Sequence, residues 1–406
     1  MDLLEYDIRL SFRFPVYFSR DVFASSNTVL LKAAPSAVAP KPARILFVVD
    51  GGVAEAHSAL LASITQYCRD HAGALELAGP VMVIPGGEQV KNDPAPTQQI
   101  LQAIHDASLD RHSYVAAVGG GAVLDTVGYA AAMAHRGIRL IRFPTTVLSQ
   151  DDSGVGVKNG INAFGQKNYL GTFTPPFAVI NDAAFLATLS DRDWRGGLSE
   201  AVKAALIKDG AFFDTIEQHA SRLAARDLAA MEAIVRRSAE LHLQHIATAG
   251  DPFETGSSRP LDFGHWAAHK LERLTNHQVR HGEAVAIGVA LDTTYSYLSG
   301  FLPERDWKRV IALLQALGLS VYAPELSHHA GDRPAVLRGL DEFREHLGGR
   351  LTVMLLTAIG VPFDAHEIDK GVMLGSIEVL RSIEGQRRSE EPHGHPIPTQ
   401  PERAGR

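Results

Sequence analysis

The chain has 406 residues, 45% of them apolar and 21% charged, with 36 glycines and a formal net charge of -7. That length exceeds one ordinary compact domain and suits two, and the balance is that of a globular chain rather than a disordered or fibrous one. Cys68 is the single cysteine, which excludes an intrachain disulfide framework and any cysteine-rich zinc or iron–sulfur site. The negative charge gives no reason to expect nucleic acid or an anionic membrane as partner.

The opening residues 1–7 are acidic, unlike a secretory leader, and charges, Gly or Pro interrupt every apolar run before it reaches membrane-spanning length. The expected setting is the cytoplasm. Leu10, Phe12 and Phe14 at spacing two predict a strand within 7–23 with one buried face. An Ala/Pro-rich loop over 33–42 follows. Then strands alternate with helices. The strand at 45–49 ends in Asp50-Gly51-Gly52 and precedes a helix over 57–69. The strand at 81–84 ends in Pro85-Gly86-Gly87-Glu88, before a helix over 97–107. The strand at 114–118 ends in Gly119-Gly120-Gly121, before a helix over 123–133, and a strand at 138–143 ends in Pro144-Thr145-Thr146. Apolar strands alternating with helices predict a mostly parallel sheet covered on both faces, with ligands at the strand C-termini.

Beyond about residue 195 helical periodicity dominates, over 198–207, 213–219, 228–247, 266–274, 283–298 and 307–317. The expected fold is an α/β nucleotide-binding domain, residues 1–195, followed by an all-helical metal- and substrate-binding domain, residues 196–384. Residues 385–406 are rich in Pro, Glu, Arg and His and read as a disordered tail.

Gly119-Gly120-Gly121 between a strand and a helix lets backbone approach a pyrophosphate at a helix N-terminus, although it is neither the GxGxxG fingerprint nor a Walker A motif. Asp125 opens the following helix. Asp50 and Glu88 at neighbouring strand ends can accept from ribose hydroxyls, Lys91 can reach a phosphate or an adenine edge, and Thr145 and Thr146 add hydroxyls. A dinucleotide suits this set.

His265 and His269 share one helix face, four residues apart, and His281-Gly282-Glu283 follows. Glu200, His265 and His281 from three helices form a two-histidine, one-carboxylate set with an open position, suited to catalytic zinc. Glu283 is a rival carboxylate or a helix cap, and His269 is left for proton transfer or anion binding. The segment 150–162, with Asp152 and Lys158, and then Lys167-Asn168, is polar and glycine-rich, good material for holding a polyhydroxylated phosphate ester. Arg136 adds a further phosphate contact.

This ordered set resembles the 3-dehydroquinate synthase-like sugar phosphate cyclases from about Ile45 to Leu298. The resemblance implies an N-terminal NAD domain, a helical zinc domain and a homodimer. It implies Glu200, His265 and His281 as ligands of zinc, with cobalt or another divalent metal as variants. It places Asp50, Glu88, Lys91, the triple glycine, Asp125, Thr145, Thr146 and Lys167 at NAD. Asp152, Lys158, Lys203 and His269 become catalytic residues, and Lys167 and Asn168 face the substrate. Arg136 matches an arginine that meets the phosphate of the partner subunit's substrate. The implied chemistry is transient oxidation, β-elimination of phosphate, reduction and intramolecular aldol closure, a lyase reaction without net oxidation.

Three positions depart from true dehydroquinate synthases. Gln244 stands for Lys, Ser258 for Arg and Asp262 for Asn, so two positive charges are lost and a negative one is gained where the substrate carboxylate would sit. Arg259 can take the arginine role only by a one-residue shift beside Pro260. Arg344 or His346 replaces a lysine expected near the phosphate. These features predict a non-carboxylated ketose phosphate such as sedoheptulose 7-phosphate, as in the 2-epi-5-epi-valiolone synthase branch, although His269 is unusual there. The alternative is 3-dehydroquinate synthase itself, acting on 3-deoxy-D-arabino-heptulosonate 7-phosphate. An NAD-dependent metal alcohol dehydrogenase of the glycerol dehydrogenase type and a non-catalytic scaffold are the remaining classes.

Overall fold

The computed structural model describes residues 3–8, 10–37, 40–249, 251, 253, 259–329, 334–346 and 349–390. Two compact units result, Met1–Leu261 and Asp262–Arg406.

The first unit runs β1 (Val16–Ser19), α1 (Val29–Ala33), β2 (Ala43–Asp50), α2 (Gly51–Ala56), α3 (Leu60–Asp70), β3 (Leu75–Leu77), β4 (Met82–Ile84), α4 (Pro94–Asp106), β5 (Tyr114–Gly119), α5 (Gly121–Met133) and β6 (Arg139–Pro144). It continues through β7 (Lys158–Ala163), β8 (Gln166–Phe173), β9 (Ala178–Asp182), α6 (Asp191–Lys208), α7 (Gly210–Ala224) and α8 (Leu228–Thr248). The main sheet has the order β1-β9-β6-β5-β2-β3, with β4 also paired to β2, and its pairings are parallel. Parallel neighbours need long crossovers, so helices cover both faces. Side chains alternate between the two cores: Ile45, Phe47, Val49, Tyr114 and Ala116 point to one, and Leu46, Val48, Val115 and Ala117 to the other, where Ile100 and Val127 from α4 and α5 meet them.

The strand expected within 7–23 is limited to Val16–Ser19. Leu10 and Phe12 are 77% and 57% exposed. β1 is laddered along the short β9, from Val16 against Val179 to Ser19 against Asp182, and the pairing reaches back to Pro15, whose carbonyl accepts from Val179 N–H at 3.0 Å. The segment expected as a polar loop instead contains the antiparallel hairpin β7–β8, whose Asn159 packs on Gly128 of α5.

The second unit contains α9 (His265–Leu274), α10 (His281–Leu298), α11 (Glu304–Ala316), α12 (Arg338–His346), β10 (Val353–Ala358), β11 (Val361–Ala365) and α13 (Lys370–Glu390). α10 is buried nearly all round, as its apolar sequence requires, and packs on α9, α11, α13 and β10. The unit is therefore largely helical, but the antiparallel hairpin β10–β11 corrects the all-helical expectation. α13 continues to Glu390, past Gly385 where the tail was expected to begin, and the rest of that tail lies outside the described residues. Compactness divides the chain after Leu261, later than the change of texture near 195, because α6 and α8 pack on the turn Ser149–Ser153 and on each other. Among the described residues no helix is long and apolar enough to cross a membrane.

Candidate active site

In the first unit the C-terminal ends of β2, β4, β5 and β6 carry the residues read as a nucleotide site. Gly120 caps α5 without a side chain, which leaves the first-turn N–H groups of that helix facing outward, as an anion requires. A Cβ at Gly119 would come 2.8 Å from Val123, and one at Gly121 2.8 Å from Ser153 Oγ. The backbone turn is thus too tight for side chains, and the cradle fits a pyrophosphate. Asp50 has a more local role than expected: its carboxylate caps α2, accepting from Gly52 N–H at 2.8 Å and from backbone N–H groups of Val53 and Gly120. Burial nevertheless pushes its carboxyl pKa up. Lys91 is buried and donates to Asp125 Oδ2 at 2.7 Å and to Asn168 Oδ1. Two candidate nucleotide residues and one candidate substrate residue therefore share one network. Asn162 joins Glu88 to it, donating to Glu88 Oε1 at 3.2 Å and accepting from Asn168 N–H at 2.8 Å. Thr145 is buried, with Oγ1 unpartnered among the described residues, and the Thr146 hydroxyl meets Ser149 Oγ at 2.8 Å.

The loop before β7 is held from beneath by Arg142, a residue the sequence reading left inside an apolar strand. Its side chain is fully buried and donates to Gly154 O, Gly156 O, Lys158 O and Asn159 Oδ1 at 2.7 to 3.0 Å. Burial lowers the guanidinium pKa to about 10. This anchoring leaves Lys158 itself exposed at the start of β7, and Lys167 half-buried on β8.

A charged cluster adjoins the loop. Glu200 and Lys203 lie one turn apart on α6, both buried, and Lys203 Nζ contacts Glu200 Oε2. Lys203 Nζ is 3.9 Å from Asp152 Oδ1, and His242 of α8 brings Nδ1 to 2.8 Å of the same oxygen. Asp151, beside it in the π-helical turn Ser149–Ser153, is buried with neither carboxylate oxygen partnered among the described residues. Burial first, then the charges of Asp152 and Glu200, hold its carboxyl pKa well above the usual range. The sequence reading missed His242 and the burial of Asp151, because neither a lone helical histidine nor a second aspartate carries a spacing signal.

In the second unit His265 opens α9 and His281 opens α10. The rings of His265 and His281 are 5.4 Å apart, those of His265 and His269 also 5.4 Å, and those of His269 and His281 5.9 Å. His269, Glu272 and His281 each offer a ligand atom, all within 4.8 Å of one another. Glu272 is buried and places Oε2 3.1 Å from His281 Nδ1, the arrangement that orients metal-binding imidazoles. Three imidazoles and a carboxylate converging from α9 and the start of α10 fit a divalent ion of the zinc or cobalt type. Glu272 was missed, although its position three residues after His269 puts it on the same face. Glu283 is settled as a cap: its Oε2 accepts from Arg280 N–H at 2.9 Å.

The base of this cluster is Asp292, fully buried, which accepts from Gly264 N–H at 3.0 Å and from Trp266 Nε1 at 2.9 Å. Burial raises its pKa to about 7. Gly264 has φ +78, and a Cβ there would come 2.6 Å from Val289 N, so only glycine lets α9 start against α10.

The remaining substrate candidates are spread over both units. Arg136 is exposed with φ +62, at the turn before β6. That is the end of the sheet opposite the nucleotide loops, roughly 20 Å away along the 13-residue α5. Within its own unit Arg136 is therefore not brought to the site. Arg344 is exposed and lies 3.8 Å from Asp341, one turn back on α12, and His346 ends that helix. Asp262 is half-buried at the end of the short turn Pro260–Asp262, Gln244 is exposed on α8, and Ser258 lies outside the described residues.

Residues 81–196 match the family model described as 3-dehydroquinate synthase N-terminal, and residues 197–333 match 3-dehydroquinate synthase C-terminal. A 3-dehydroquinate synthase of Geobacter sp. (strain M21) is 43% identical over 255 residues, 62% of this chain and 70% of that one. A 3-dehydroquinate synthase of Ruegeria pomeroyi is 34% identical over 356 residues, 86% of this chain and 93% of that one. Among solved structures, 2-epi-5-epi-valiolone synthase (ValA) from Streptomyces hygroscopicus subsp. jinggangensis 5008, with NAD+ and Zn2+ bound, superposes with a TM-score of 0.83 at 27% identity. The match covers 94% of this chain and all of that one. The chain belongs to the 3-dehydroquinate synthase family of sugar phosphate cyclases, and is an enzyme of that NAD- and metal-dependent lyase class.

Proposed function

We propose that this protein is an NAD- and divalent-metal-dependent cyclase of the 3-dehydroquinate synthase type, closing 3-deoxy-D-arabino-heptulosonate 7-phosphate to a carbocycle with loss of phosphate. The observation that carries the cyclase reading is the network joining Lys91, Asp125 and Asn168, which ties the nucleotide cradle to the hairpin bearing Lys158 and Lys167. The curated relatives, at 34–43% identity, support the carboxylated substrate.

The glycine cradle, Glu88, Lys91, Asp125, Thr145, Thr146 and Lys167 would hold NAD, with Asp50 shaping the turn. Glu200, His265 and His281 would hold the metal, oriented by Glu272. When bound, these groups supply reversible hydride transfer at a ring carbinol and polarisation of its oxygen. Oxidation of that carbinol to a ketone acidifies the adjacent C–H, and phosphate then leaves by β-elimination. Lys158, Asn168 and His269 hold the phosphate while it accepts the proton. Lys203 fixes a positive charge beside the reacting oxygen, and Asp152 orients the hydroxyl. Arg136 would complete the phosphate site of a second copy, making the working form a cytoplasmic homodimer.

A second reading is favoured by one observation, the charge pattern at Gln244, Ser258 and Asp262, which offers a carboxylate no cation and one repelling neighbour. It makes the substrate a non-carboxylated ketose phosphate such as sedoheptulose 7-phosphate. Phosphate release from metal-loaded protein with NAD, measured on both sugars with NMR identification of product, separates the two. Release only from the carboxylated sugar, without net NADH, is the expected result. Release only from sedoheptulose 7-phosphate would overturn it in favour of the second reading, and stoichiometric NADH would make the enzyme a dehydrogenase.

A further inference from the structure

We infer that His242 is a positioning residue for Asp152, an assignment that rests on the cyclase reading above. Asp152 sits in an irregular π-helical turn, where the backbone alone does not fix the direction of a short carboxylate. Two nitrogens approach its Oδ1. Lys203 Nζ stands 3.9 Å away and also contacts Glu200, while His242 Nδ1 stands at 2.8 Å, a close contact that lacks the alignment of a hydrogen bond.

The His242 ring is itself confined. Its side chain is 14% exposed, and a Cβ at Gly156 would lie only 3.6 Å from Nε2, so the ring is lodged between Asp152 and the loop. That stretch of loop is pinned by Arg142 through Gly154 O and Gly156 O. The chain Arg142, Gly156, His242, Asp152 thus transmits the rigidity of the buried strand β6 to a carboxylate on the substrate side. Without His242, Asp152 is drawn onto Lys203. The ammonium would then be shared between two carboxylates, Asp152 and Glu200, and lost as a fixed charge. A site of this kind requires its first layer to be held by supporting groups to within a fraction of an ångström.

The test uses the full-length, metal-loaded protein with NAD. His242→Phe keeps the flat ring and removes the nitrogen, and His242→Asn returns an amide nitrogen near the Nδ1 position. We expect His242→Phe to lower kcat for phosphate release roughly 30-fold, with KM moving less than about threefold and metal and NAD content unchanged. His242→Asn should recover to within about fivefold of the parent. The double variant His242→Phe with Asp152→Asn should be no slower than Asp152→Asn alone, within about twofold. A kcat for His242→Phe within threefold of the parent overturns the assignment, as do losses that multiply in the double variant. Failure of the asparagine to rescue overturns it too. Should the parent release phosphate from neither sugar, the cyclase reading falls, and the same cycle measured by thermal unfolding decides the contact. Coupled losses uphold His242 as the group holding Asp152, and additive losses overturn it.

Discussion

The loop over residues 149–159 in the first unit and the histidine cluster in the second solve the same problem by opposite means. In the loop, functional side chains sit on irregular backbone, and a fully buried guanidinium holds that backbone in place through four acceptors. In the cluster, the side chains sit on two regular helices, and the start of α9 is held against the middle of α10 by Gly264 on Gly288 and by Asp292 beneath. Irregular backbone needs a buried charge to satisfy its carbonyls. Regular helices satisfy their own, so the cluster needs only close approach and one carboxylate.

The strongest way to break this contrast is Arg142→Met. It leaves four buried acceptors without their donor, and should cost about 3–5 kcal/mol, the scale of an uncompensated buried polar network. Thermal unfolding and limited proteolysis within 149–165 would show it. Arg142→Lys should rescue only in part, since one ammonium cannot reproduce the fork. A melting temperature within a degree or two of the parent would remove the loop's supposed anchor.

Asp292 supplies the next largest effect. Its carboxyl is raised to about 7 in the folded chain against about 3.9 unfolded, so the folded state binds the extra proton. The stability this contributes is fully present below about pH 4 and is lost as pH rises through about 7, amounting to at most about 4 kcal/mol. Unfolding of the parent and of Asp292→Asn, compared from pH 4 to 8, should therefore show the parent losing ground as pH rises. A constant difference would mean that Asp292 stays ionised under its two donors.

Glu272→Gln sharpens the metal side. Loss of the carboxylate beside His281 Nδ1 should weaken metal affinity about 10–100-fold, read by chelator competition, with the helices intact by circular dichroism. A much larger loss would make Glu272 a direct ligand with His269 and His281. The smallest effect is expected at Asp151. Replacing this buried, unpartnered acid by Asp151→Val should stabilise the fold by about 1–3 kcal/mol, the cost of leaving such a group buried. Because burial raises its pKa, the gain should grow as pH rises above about 4. Destabilisation instead would show that Asp151 has a partner that the loop hides.

The elements with regular periodicity were legible in the sequence. Helices expected over 228–247 and 283–298 occur as Leu228–Thr248 and His281–Leu298, and the parallel strands fall where apolar runs end in glycine. The pairing of His265 with His269 followed from helical spacing alone. The hairpin β7–β8 did not, because its residues are mostly polar and its strands face solvent on β8, so no alternation marks them. The N-terminal alternation misled for the converse reason: spacing two predicts a strand, but a strand exists only where another offers its backbone.

By itself the sequence determined the order of elements, the glycine turns at the strand ends and the face of α9 that carries the histidines, since these depend on local backbone geometry and period. Only the tertiary structure decided which buried charges meet. Arg142 reaches the carbonyls of a loop more than ten residues away, and Asp292 reaches Gly264 from the next helix. His242 reaches Asp152 across about ninety residues of chain. Such contacts leave no period in the sequence, because burial of a polar side chain is stabilised by whichever partner the fold brings to it.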